Sequence, residues 1–117
     1  MTLQKRIAIT LPAGPSIADT IARLKWAEAN GIPDAWFSDA GAPDTLTQIA
    51  AVGHHTQTIR IGVAVTPVYT RSPSVLAASA NVISQVIPGR FIMGLGSSSQ
   101  TIMGQWNGIP LEKPHTR

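Results

Sequence analysis

Arg60-Ile61-Gly62-Val63-Ala64-Val65-Thr66-Pro67 is a β-branched run closed by a proline, and its continuation towards Ser99 decides the fold. Arg71-Ser72-Pro73 opens a helix predicted over 74–86, and Pro88-Gly89 ends it. Arg90-Phe91-Ile92-Met93-Gly94-Leu95-Gly96 is a second apolar run, emptying into Ser97-Ser98-Ser99. Strand, helix, strand at this spacing is the crossover that parallel strands require, and it fixes which strand ends share a face. Any functional reading therefore rests on the residues at the C-terminal ends of these strands.

Working back towards the N-terminus, the pattern repeats. Arg6 to Pro12 is a mostly apolar run that predicts a first strand. Ser16-Ile17-Ala18-Asp19 has the form of a capping box with Asp in the acidic position, and it starts a helix. Ile17, Ala18, Ile21, Ala22 and Leu24 supply its apolar stripe, with Asp19 and Arg23 opposite, and Asn30-Gly31 ends it. Asp34 to Asp39 is the second strand. Gly41-Ala42-Pro43-Asp44 leads into a second helix, whose buried face is Leu46, Ile49, Ala50 and Gly53. His54-His55-Thr56 closes that helix before the third strand.

The order β-α-β-α-β-α-β implies a parallel α/β sheet covered by helices, and nearly unbroken apolar strands suit burial on both faces. A doubly wound open sheet and a (β/α)8 barrel both satisfy it. The first strand is not followed by Gly-x-Gly-x-x-Gly, which removes the main support for a dinucleotide fold. A complete barrel needs about 250 residues, more than twice the 117 present. Trp106-Asn107-Gly108-Ile109-Pro110-Leu111-Glu112-Lys113-Pro114 reads as a loop entering another helix just before Arg117. The expectation is that residues 1–117 form the N-terminal half of a TIM (β/α)8 barrel, truncated on the C-terminal side.

Composition narrows the function classes. Only 13% of residues are charged against 44% hydrophobic, which fits a buried sheet and argues against disorder. The net charge of +3 comes from singly scattered basic residues, so no nucleic-acid partner is expected. The absence of cysteine excludes disulfides, thiolate metal sites and cysteine nucleophiles. No apolar leader or membrane-length stretch is present, and a soluble cytoplasmic protein without a membrane partner is expected.

At the predicted strand ends lie Leu11, Pro12 and Ala13; Ser38 and Asp39; Ala64, Val65 and Thr66; and Gly96 to Ser99. The string from Gly94 to Ser99 offers backbone N–H groups and hydroxyls to an anionic or polyhydroxylated ligand, although close strand packing also explains its glycines. Asp39 is placed to accept a hydrogen bond from a ligand ring or hydroxyl, or else to cap a turn; Asp44 reads as a helix N-cap. His54 and His55 read as cations at a helix end rather than metal ligands, and no metal site is expected. Trp26 and Trp36 read as packing residues, and Trp106 as a residue lining a site mouth. No Ser-His-Asp set or carboxylate pair appears at a readable spacing, which points from hydrolysis towards chemistry carried by a bound cofactor and leaves the catalytic residues unassigned.

Four stretches together, Arg60 to Pro67, Thr70 to Pro73, Pro88 to Gly96 and Trp106 to Pro114, closely resemble the luciferase-like flavin and deazaflavin oxidoreductases, most of all the coenzyme F420-dependent branch. Asp34-Ala35-Trp36-Phe37 fits that family's second strand. The resemblance implies a (β/α)8 barrel, commonly a homodimer, with a ring cofactor at the C-terminal face. It places Ala64–Val65 where the family has a non-proline cis peptide behind the cofactor ring, with Thr66 next to it. It places Asp39 near the ring edge, and Gly96, Ser97 and Ser98 by the ribityl and phosphate portion. The implied reaction is hydride transfer between coenzyme F420 and a small organic substrate. The alternatives are an FMN-dependent monooxygenase using molecular oxygen, and a half-barrel that is inactive or needs a partner chain.

Overall fold

The computed structural model describes residues 6–12, 15–39 and 43–97. Its elements are β1 (Ala8–Thr10), α1 (Ile17–Ala29), β2 (Asp34–Phe37), α2 (Thr45–Val52), a 3-10 turn (Gly53–His55), β3 (Arg60–Pro67), α3 (Pro73–Val86) and β4 (Phe91–Gly96). The four strands form one parallel sheet in sequence order. β1 and β4 are therefore the sheet's edges among the described residues. β3 has the bounds expected from sequence, and α3 starts one residue earlier than predicted, at Pro73, where Ser72 Oγ caps the Val75 N–H at 3.3 Å.

Two strands are shorter than the apolar runs suggested. β1 keeps three of the seven residues from Arg6 to Pro12, because Arg6 reaches sideways to Asp34. β2 stops at Phe37, where the Ser38 carbonyl accepts the Thr45 hydroxyl at 3.0 Å and turns the chain. Arg90 precedes β4 rather than joining it, since its guanidinium is held by Thr56 and the Ile59 carbonyl.

The core lies between the helices and one face of the sheet. Ala35 and Phe37 of β2 and Ile61 and Val63 of β3 meet Leu24, Ala27, Leu46, Ile49, Val52 and Ile83 there. Residues alternating with them face the other way, and Trp36 rests its ring over Gly62 on that side. The edge strands β1 and β4 are at most half-buried, whereas β2 and β3 are buried at nearly every position up to Val63, with Gly62 lying under the Trp36 ring.

The buried stripe of α1 is also displaced. It runs through Thr20, Leu24 and Ala27, whereas Ile17 and Ala18 are exposed. A threonine fits this seam because the Gln48 side-chain amide donates to its hydroxyl at 3.2 Å, while the Gln48 Oε1 atom is left buried without a partner. In α2 the buried set is Leu46, Ile49 and Val52, joined by Gly53, while Ala50 is only half-buried. Trp26 does not pack as expected; it is 59% exposed on α1.

The N-terminal end of the sheet is tied by charge. Asp34 accepts from both Arg6, at 2.8 and 3.2 Å, and Arg60, at 2.6 Å. These hydrogen bonds, first from Arg6 and then from Arg60, lower its pKa to about 2. Glu28 Oε2 collects the backbone N–H groups of Gln57, Thr58 and Ile59 at 2.7–3.0 Å, fastening α1 to the loop before β3. Desolvation works to raise the Glu28 pKa, but these N–H groups and the Thr58 hydroxyl outweigh it and hold the carboxyl at about 2.

Candidate functional site

At the opposite end of the sheet the strands β3 and β4 fall out of step. Val63 is paired with Met93 and Thr66 with Leu95, so Ala64 and Val65 together face the single residue Gly94. This is a β-bulge, which pushes the extra residue out of the ladder and re-aims the side chains beside it. The Ala64–Val65 peptide bond is cis, at the position the resemblance indicated. Ala64 is exposed and Val65 is 40% exposed, whereas Ile61 and Val63 just before them are fully buried. The bulge thus forms a small apolar ledge at the C-terminal end of the sheet.

Two glycines of β4 make room for it. A β-carbon at Gly94 would lie 2.6 Å from the Val63 carbonyl oxygen, and one at Gly96 would lie 2.6 Å from Val65 Cγ2. The missing side chains at 94 and 96 are therefore explained by close approach of the bulged strand. The Gly96 carbonyl accepts the Val68 N–H at 2.8 Å, which continues the pairing past the bulge. Ser97 comes directly after and is half-buried; Ser98 and Ala13 lie outside the described residues, as do Trp106 and His115. Thr66 is fully buried, with its hydroxyl unpartnered.

Next to the ledge, beyond the end of β2, a charged cluster gathers three segments. Asp39 is buried, and its Oδ2 accepts Arg71 Nη1 at 2.7 Å. The other arm of the same guanidinium holds Asp44, at the start of α2, which also takes the Thr47 hydroxyl. Burial works to raise the Asp44 pKa, but Thr47 and then Arg71 outweigh it and lower the value. Burial likewise opposes the Arg71 charge, but Asp39 and then Asp44 raise its pKa. Asp44 occupies the N-cap position as expected, although its carboxylate makes no capping bond to the helix backbone.

Arg71 is the residue that sequence reasoning missed. It reads locally as a helix opener, and its partners lie 32 and 27 residues away. The only signal was that an arginine in the loop after one strand faced two aspartates in the loop after its neighbour. His54 and His55 are exposed, with their rings tilted at 41° to one another and a centroid distance of 4.2 Å. Desolvation, His54 and Lys25 all lower the His55 pKa, which disfavours the helix-end cation expected there. Among the described residues no group of three or more potential ligands could hold a metal ion. No helix among them is long and apolar enough to cross a membrane.

A cavity of about 560 Å³ lies between α3 and β4, lined by Leu76, Ala77, Ala80, Met93 and Leu95 among others. Met93 and Leu95 alternate with Gly94 and Gly96, so this cavity opens on the helix side of β4, away from the ledge. The ledge side has the features a planar ring would use. It offers an apolar surface left clear by two glycines, with hydrogen-bonding side chains at its margin.

Comparison with known proteins agrees with this architecture. The family model described as luciferase-like monooxygenase matches residues 1–117. The chain is 31% identical over 93 residues to the 5,10-methylenetetrahydromethanopterin reductase of Methanolobus tindarius, covering 79% of this chain and 28% of that enzyme. Its fold is similar to the coenzyme F420-dependent tetrahydromethanopterin reductase of Methanopyrus kandleri, with a TM-score of 0.81 and 24% identity over 91% of this chain and 30% of that one. It is also similar to the oxygenating constituent of 3,6-diketocamphane monooxygenase of Pseudomonas putida, solved with FMN, with a TM-score of 0.70 and 24% identity over 82% of this chain and 29% of that one. The chain thus spans less than a third of the length of each of these relatives.

Proposed function

The chain belongs to the luciferase-like monooxygenase family, and on that premise we propose that it is the N-terminal half of a (β/α)8 oxidoreductase that binds a deazaflavin, coenzyme F420, at the C-terminal end of its sheet. The bulge at Ala64 and Val65 carries the reading, because it gives an otherwise regular sheet an exposed apolar ledge of the kind that backs a planar ring. Likeness to a coenzyme F420-dependent reductase and to methylenetetrahydromethanopterin reductase favours the deazaflavin. FMN is the second reading, favoured by the monooxygenase with which the chain shares its fold.

The cofactor, when bound, supplies hydride chemistry. The residues of this chain do the positioning. Ala64 and Val65 would support one face of the ring, and Gly96, Ser97 and Ser98 are the residues proposed to hold its polar tail. Asp39 lies at the ring's edge, and Thr66 anchors the far side of the bulge from within the core. A small organic substrate would approach the face of the ring turned away from the ledge. A homodimer in the cytoplasm is the proposed state of the whole protein.

Titration of oxidised coenzyme F420 and of FMN into the purified chain, followed by the fluorescence of each chromophore, tests this. Saturable binding of the deazaflavin supports the proposal, and preference for FMN replaces the hydride-transfer reading with a monooxygenase. Binding of neither by a folded chain contradicts it.

A further inference from the structure

We propose that Arg71 is a positioning residue for the cofactor site, an inference that rests on the cofactor reading above. Its guanidinium holds the Asp39 carboxylate in one orientation and supplies the cation that allows an anionic cofactor to settle beside two aspartates.

Both halves of this role come from the geometry. Arg71 belongs to the loop after β3 and is largely enclosed, with 16% of its side chain exposed. One nitrogen binds Asp39 at 2.7 Å and another binds Asp44, so a single planar fork joins the end of β2 to the start of α2. The Asp39 side chain is only 4% exposed. A carboxylate so enclosed is held in direction by its partner, and removing that partner takes away the one cation bound to it. Two aspartates and one arginine carry a net charge of −1 at this corner; without Arg71 the corner carries −2. FMN differs from riboflavin by one anionic phosphate on the same ring, which allows the electrostatic part of the role to be read separately.

The experiment compares binding of FMN with riboflavin, and follows binding of coenzyme F420 beside them. It uses the unsubstituted chain and the variants Arg71→Met, Arg71→Lys and Arg71→Met/Asp39→Asn, with circular dichroism melts as a folding control. Arg71→Met is expected to weaken riboflavin through the lost orientation of Asp39, and FMN by about tenfold more through the lost charge. Arg71→Lys restores the charge-dependent part but not the orientation, and Asp39→Asn in the Met background recovers the affinity for the anionic forms. A loss no larger for FMN than for riboflavin, or no loss in Arg71→Met, would overturn the role of Arg71 while leaving the cofactor reading in place. If the unsubstituted chain binds none of these ligands, the cofactor reading fails and this inference fails with it.

Discussion

The two ends of the sheet are built on different principles. At the N-terminal end charged groups meet backbone and one another: Arg6 and Arg60 converge on Asp34, Glu28 gathers three N–H groups, and Arg90 fastens the loop around Thr56. At the C-terminal end one ion-pair cluster, around Arg71, stands beside a steric feature that the other end lacks, a bulge fitted against two glycines. One end holds the chain together and leaves few polar groups over. The other departs from regular pairing and turns apolar surface outwards, at the end where parallel sheets place their ligands.

This contrast predicts how each end responds to substitution. Gly94→Ala should have the largest effect, about 3 kcal/mol, because the clash is with the Val63 backbone oxygen and no side-chain rotation relieves it. Urea unfolding measures this loss, which should be the same at pH 7 and at pH 5, since no titrating group is involved.

Glu28→Ala comes next, at about 2 kcal/mol, as three loop N–H groups lose a charged acceptor. A smaller loss, about 1 kcal/mol, is expected for Gly96→Ala, whose added carbon meets the Val65 side chain instead of backbone. Adding Val65→Ala should recover most of it, and a double-mutant cycle that showed strict additivity would mean that the two residues do not oppose one another.

The N-terminal end also gives a signal that the bulged end does not, an acid dependence. Glu28 and Asp34 both have folded pKa values of about 2, below their ordinary 4.5 and 3.8. Their contribution is complete above the unfolded values and is lost as pH falls towards 2, so melts between pH 5 and pH 2.5 should steepen downwards. Glu28→Gln and Asp34→Asn should each flatten that slope. A slope unchanged in both variants would place the acid sensitivity elsewhere.

The strand order and the parallel sheet were legible in the sequence because they rest on local signals: proline and glycine punctuation, caps such as Ser16 and Ser72, and apolar runs of strand length. The family resemblance added the bulge position at Ala64–Val65, which no periodicity reveals. What was not legible depends on distant pairing. Arg71 meets Asp39 only once β2 and β3 are neighbours, and Asp34 gains two arginines only when three strands are in register. The α1 stripe was misplaced because Thr20 reads as polar until Gln48 is brought against it. Trp26 illustrates the opposite error, a large aromatic taken for core that the helices leave exposed.

The difference between the ends is tested most directly by mapping backbone amide shifts of the isotope-labelled chain while the deazaflavin is added. Perturbations are expected at Ser38, Asp39, Ala64, Val65, Thr66, Gly96 and Ser97, with Asp34, Thr58 and Arg60 unchanged. Shifts concentrated at the N-terminal end, or on the outer faces of α2 and α3, would contradict the assignment of the bulged end as the ligand-binding face.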